Sequence, residues 1–157
     1  AQDPTRFAKL VFVLPAAIDA GRADGATVRL QRLGAAIAAR DARAAADLLL
    51  RELPADVRTL RGVDALVLRR ARALVSRPAP APRRLDHPVG DRALLAGGRA
   101  PALVVGQHGD DLHPWQIAHE LHTLLPSSDL LLLGEGGVFW TDALRAQQAI
   151  ADHLQEI

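Results

Sequence analysis

The chain predicts an α/β fold, a partial parallel sheet with an inserted all-helical cap, and three observations lead there. Two short apolar runs, residues 102–105 and 130–133, each close on a glycine-bearing turn and flank one amphipathic helical segment. Apolar runs without alternation suit strands covered on both faces, and a helix between two such strands is the crossover of a parallel sheet. A third apolar run, within residues 7–14, is separated from the other two by a long stretch of helix-forming residues. A crossover needs only about a dozen residues, so the excess reads as an insertion.

Length and composition bound the rest. The 157 residues suit roughly one domain with a real core. A hydrophobic content of 49% with 24% charged residues describes a globular chain, not a disordered one. The net charge of +1 gives no electrostatic case for nucleic acid or an anionic membrane, and the pI near 8.8 reflects arginine's high pKa. No apolar run approaches the roughly 20 residues of a membrane span. There is no cysteine, hence no disulfide, thiolate metal site or thiol nucleophile. Residue usage, rich in arginine, alanine, leucine and proline, resembles that of GC-rich bacterial genes, so a bacterial cytoplasmic protein is expected, with secretion left open. Methionine is absent, so Ala1 is a translational start only if the initiator was trimmed, and AQDP could also follow leader removal. The strand at 7–14 must be buried between neighbours, and three strands make a small parallel sheet. Missing strands are the expectation, supplied by an amino-terminal half of the same fold on the same or a separate chain.

In chain order, residues 1–25 read as core strand and loop, with Pro15 ending the strand and Gly21 and Gly25 in the loop. Residues 26–77 read as the helical cap. Thr27 suits an N-cap, with Leu30, Leu33 and Ile37 on one face; Asp41 suits the cap of a second helix that Pro54 stops; Val63, Val67 and Leu74 mark a third. Over the carboxyl edge of a sheet such a cap would exclude water and shape a pocket, whereas the plainer reading is a packed helical layer without gating. Arginines 29, 32, 40, 43, 51, 58, 61, 69, 70 and 72 interleave with acids as a solvated face and lack the stacking aromatics of a nucleic-acid site. Residues 78–100 read as a proline-rich linker, stiff over 78–82, and a short helix with Gly97 and Gly98 as its C-cap.

Residues 101–157 read as the carboxyl-terminal α/β core. Pro114 starts its first helix with Asp111 as candidate cap, and Ile117, Leu121 and Leu124 form the core stripe. Thr141 suits the cap of the final helix, with Ile150, Leu154 and Ile157 facing the sheet.

Chemistry in parallel sheets gathers at the carboxyl ends of strands, so the loops to read are 106–114 and 134–140. In the first, Gly106 and Gly109 permit a sharp turn and Asp110 sits just past the strand. An aspartate there can orient an imidazole, or serve simply as a turn carboxylate.

PALVVGQHGDDLHPWQIAHELHTLLPSSDLLLLGEGGVFW, followed by an amphipathic final helix, resembles the carboxyl-terminal part of the α/β-hydrolase fold. That family often carries its triad acid in Gly-x-x-Asp-x-x-x-Pro, which Asp110 and Pro114 match with one extra residue after Gly106. RFAKLVFVLPAAID resembles the strand after the nucleophile helix, where lid-bearing bacterial members insert a helical cap. The resemblance implies Asp110 as triad acid. It implies an enzyme acting on an ester, thioester or amide of a small apolar substrate, or transferring its acyl group, without a cofactor.

Two departures bear on the chemistry. Gly-x-Ser-x-Gly is absent, with Ser76, Ser127 and Ser128 in unsuitable contexts, so the nucleophile is expected on a missing or separate segment. The family's Gly-Gly-His-Phe reads Gly136-Gly137-Val138-Phe139 here. Either a substitute base comes from elsewhere, His108 or His113 near Asp110, or the protein is a silent homologue that binds a small ligand or protein partner or performs a non-hydrolytic rearrangement. His108, nearer to Asp110 in sequence, reads otherwise as a solvent-facing loop residue.

The remaining histidines suggest no metal site. HPWQIAHELH is not H-E-x-x-H, and the core stripe turns His119 and His122 to the polar face, Glu120 between them. His87 and His153 belong to no constellation. Trp115, Phe139 and Trp140, with Val138, read either as core anchors or as the wall of an apolar pocket.

Overall fold

In the computed structural model, which describes residues 6–22, 24–77, 91–135 and 137–155, three strands run parallel in the order β1 (Leu10–Val13), β2 (Ala102–Gln107), β3 (Ser128–Leu133). Leu10 lies opposite Ala102, and Ala102 opposite Ser128. Every residue of β2 is buried, which is what an uninterrupted apolar run demands of a central parallel strand.

Its side chains alternate between two cores. Ala102 and Val104 pack with Ile18, Ala118, Leu121 and Leu125; Leu103 and Val105 pack with Leu133, Val138 and Ala146. Helix α6 (Trp115–Leu124), the crossover from β2 to β3, supplies Ala118 and Leu121 to the first core, while α7 (Ala143–Gln155) supplies Ala146 to the second. Burying a leucine or valine in this way contributes about 1.5–3 kcal/mol each.

The strands differ in length from the apolar runs. β1 is confined to four residues because Phe7 is exposed and Leu14 turns into the left-handed region (φ 51°), an uncommon conformation for leucine, directly before Pro15. The Leu14 N–H still donates to the Val105 carbonyl (2.9 Å). β2 runs on through Gly106, read from sequence as a turn glycine. A Cβ at Gly106 would lie 2.8 Å from both Ala118 Cβ and Leu132 Cδ2, so this glycine lets α6 sit close to the sheet.

The chain divides into two compact units, residues 1–21 with 86–157, and residues 22–85. The second is all-helical: α1 (Asp24–Ala38), α2 (Ala42–Arg51), α3 (Ala55–Arg58) and α4 (Val63–Val75), with α2 packed on both α1 and α4. Asp41 caps α2, its Oδ1 accepting from the N–H of Arg43 (3.0 Å) and Ala44 (2.9 Å). α1 begins at Asp24, which places Thr27 inside the first turn and not at the cap; an acid there suits the helix dipole. Pro54, expected only to stop α2, also opens the short α3.

In the first unit α5 (Ala93–Ala96) ends on Gly97. α6 is preceded by Pro114 in the cap position, not Asp111. Thr141 belongs to a single π-helical turn, Gly137–Thr141, and the first bond of α7 runs from the Ala146 N–H to the Asp142 carbonyl (3.0 Å). α7 accordingly turns Ala146 and His153 inward, leaves Ile150 half-buried and exposes Leu154. The linker at 78–82, His87 and Ile157 lie outside the described residues. Among the described residues no helix is long and apolar enough to cross a membrane.

Candidate active site

The loop after β2 is built by local backbone chemistry. Its first residue, His108, prolongs the ladder, its N–H donating to the Leu133 carbonyl (3.1 Å). Gly109, at φ 73°, then reverses the chain, a conformation that favours glycine. Asp110 fixes the next turn: its Oδ1 accepts from the N–H groups of Leu112 (2.9 Å) and His113 (3.1 Å), the short-range side-chain-to-backbone pattern aspartate favours in turns. A bridge between Gln107 and Pro114 closes the loop at its base, and α6 starts at the next residue.

The second carboxylate oxygen is left for a side chain. Asp110 Oδ2 lies 2.9 Å from His113 Nδ1, with the Asp110 and His113 side chains 18% and 27% exposed. One oxygen of Asp110 thus builds the turn and the other meets the His113 ring. Burial works against the charged carboxylate, but the His113 hydrogen bond, that ring's charge when protonated and the two backbone N–H groups together outweigh it and hold the Asp110 carboxyl below its ordinary pKa. The site contains an ionised carboxylate at neutral pH with an imidazole attached.

Of the two histidines considered as partners of Asp110, the structure brings His113 to the carboxylate. His108 is exposed and tilts against Trp115, ring centroids 5.2 Å apart. His119, also exposed, meets Trp115 edge-on at 6.3 Å. His122 Nδ1 pairs with Ser128 Oγ (2.8 Å), at the amino end of β3, and Glu120 pairs with Arg92. Among the described residues no three histidine, aspartate or glutamate side chains gather to hold a metal ion.

The loop after β3 is tied to the same strand end. The Val138 N–H donates to Gln107 Oε1 (2.7 Å), and both residues are buried. Val138 thereby sits in the core with Leu103, Val105, Leu133 and Ala146. Of the residues grouped with it as a pocket wall, Phe139 is 73% exposed, Trp140 is half-buried at a break in the helical turn (φ −128°, ψ −109°), and Trp115 is half-buried, in ring contact with two histidines. Gln107 is a site residue that the loop motifs of the sequence do not mark. The available signal was a polar residue closing a strand buried on both faces, which must find a hydrogen-bond partner inside.

No protein-family model and no curated protein matches the chain. Solved structures do match over nearly its whole length. A 2-hydroxy-6-oxo-6-phenylhexa-2,4-dienoate hydrolase from Rhodococcus sp. strain RHA1 aligns with 97% of this chain and 57% of its own at 17% identity, with a TM-score of 0.63. A thermophilic esterase from Thermogutta terrifontis aligns over 98% and 57% at 18% identity, TM-score 0.58. A hydrolase from Oleispira antarctica aligns over 96% and 57% at 13% identity, TM-score 0.56. The chain thus spans little more than half the length of these proteins, and at such identities the likeness is one of fold.

Proposed function

We propose that this chain, whose fold is that of the carboxyl-terminal part of an α/β-hydrolase, belongs to an enzyme that hydrolyses, or transfers the acyl group of, an ester, thioester or amide of a small apolar acid. Asp110 is the acid of its catalytic set. The nucleophile comes from an amino-terminal half of the same fold, on the same or a separate chain. One observation carries the reading: Asp110 stands just beyond the carboxyl end of the central strand, ionised, with one oxygen building the loop and the other on an imidazole. A partly buried negative charge aimed at an imidazole fixes its tautomer and stabilises the imidazolium formed when it accepts a proton.

In this reading Trp115, Phe139 and Trp140 offer apolar surface beside the reacting atoms, and the helical unit serves as the lid of a bacterial, lid-bearing enzyme of the cytoplasm. Titrating the intact protein with a p-nitrophenyl ester tests the proposal. Turnover is expected, with Asp110→Asn lowering kcat by about 10³–10⁴-fold; full activity in that variant would remove Asp110 from the mechanism.

A second reading is favoured by Val138, buried and tied by its N–H to Gln107 where the resemblance calls for histidine. It makes the protein a silent homologue that binds a small ligand or a partner, or that carries out a non-hydrolytic rearrangement. Absence of turnover on any acyl ester selects it.

A further inference from the structure

We propose that His113, three residues after the acid on the same loop, is the general base of this site, replacing the histidine that the second loop lacks. The inference rests on the hydrolase reading above and specifies which group moves the proton.

The ring is oriented as a base requires. With Nδ1 donating to Asp110 Oδ2 (2.9 Å), neutral His113 carries its lone pair on Nε2. The same carboxylate accepts the His113 N–H at 3.1 Å, so backbone and ring are fixed by one group. The Gln107–Pro114 bridge and the start of α6 at Trp115 brace the loop on either side. At 27% exposure the His113 side chain is partly desolvated yet open to a reactant. The other described histidines are placed for other work. His108 and His119 lie on Trp115, His122 engages Ser128 at the amino edge of β3, opposite the Asp110 edge, and His153 is buried in α7. Val138 itself is drawn into the core through Gln107, its N–H donating to Gln107 Oε1.

The proton inventory closes around His113 Nε2. A hydroxyl of the amino-terminal half attacks the acyl carbonyl carbon; as the new O–C bond forms, the hydroxyl proton passes to Nε2. The tetrahedral oxyanion collapses, the bond to the leaving alkoxide, thiolate or amine breaks, and that group takes the proton from Nε2. Water then attacks the acyl-enzyme and gives a proton to Nε2, which returns it to the nucleophile oxygen as the free acid departs. Asp110 remains ionised throughout.

The test uses the intact protein and p-nitrophenyl acetate. His113→Gln is expected to lower kcat by about 10²–10⁴-fold while the melting temperature stays near wild type. His113→Ala is expected to regain activity on adding imidazole, which a merely structural role would not produce. The wild type should also show a low-field Nδ1 proton resonance that vanishes in Asp110→Asn. Wild-type kcat in His113→Gln, a larger loss in His108→Gln than in His113→Gln, or no low-field proton overturns the assignment while leaving the hydrolase reading standing. Absence of turnover by the wild type ends the hydrolase reading itself, and the catalytic role of His113 with it.

Discussion

The two oxygens of Asp110 divide the labour of its loop, and that division has a pH signature. Oδ1 holds the turn through the Leu112 and His113 N–H groups, Oδ2 holds the imidazole, and together these bonds bring the carboxyl below its ordinary value of 3.8 despite the opposing effect of burial. A depressed folded-state pKa contributes stability that is fully present above the unfolded value and is lost as pH falls through the folded one. The stability advantage of the wild type over Asp110→Asn, followed by urea unfolding, is therefore expected to shrink from about pH 5 downward. An advantage independent of pH would mean that the carboxylate charge contributes nothing. The position of Asp110 was legible in the sequence because turn chemistry is local. Its partner was not: His108 and His113 flank it in a loop with no periodicity, and the Asx-type turn decides which ring swings back. Gln107 could be flagged as a polar residue closing a buried strand, but its partner could not, since the Val138 N–H lies 31 residues away.

Among the elements, β2 and α6 set the geometry of the site, and Gly106 sets the distance between them. Gly106→Ala would drive a methyl to 2.8 Å from Ala118 Cβ, which rides on a helix and cannot rotate away, and from Leu132 Cδ2 on the neighbouring strand. Overpacking of this kind costs about 1–3 kcal/mol, so the urea midpoint should fall accordingly, with the Asp110 loop displaced and ester turnover reduced. A midpoint unchanged within error would show that the close approach is not required. Periodicity identified the amphipathic helices here and misplaced several of their ends. α1 begins before Thr27 and α7 after Thr141, because a threonine is one of several acceptable capping residues and backbone geometry chooses among them.

At the scale of the molecule, β1 lies at the edge of a three-stranded sheet, and Phe139 and Leu144 beside the second loop are 73% and 82% exposed. The chain spans only 57% of the solved structures that share this fold. In the proposed reading, an amino-terminal half covers such surface and brings the nucleophile. A fluorophosphonate is then expected to label the intact protein once, at a residue outside 1–157. Within the chain, Ser76 Oγ is committed to the Ala73 carbonyl (3.0 Å), and Ser128 Oγ donates toward the His122 carbonyl (3.0 Å) while meeting the His122 ring, at the edge of the sheet away from Asp110. Stoichiometric labelling of Ser76, Ser127 or Ser128, read by peptide mass spectrometry, would put the nucleophile on this chain and defeat the two-part assembly.

The sequence by itself determined the parallel α/β core, the helical insertion and the carboxylate at the strand end, because apolar runs, helical periodicity and turn residues act over a few positions and need no distant partner. Tertiary structure alone decided that Gly106 is a packing contact, that Gln107 holds Val138 in the core, that His153 faces inward where Leu154 was expected, and that His113 is the imidazole on Asp110. Each of these depends on which surfaces a fold presses together, or on a side-chain direction that the surrounding backbone must first fix, and neither is encoded in local pattern.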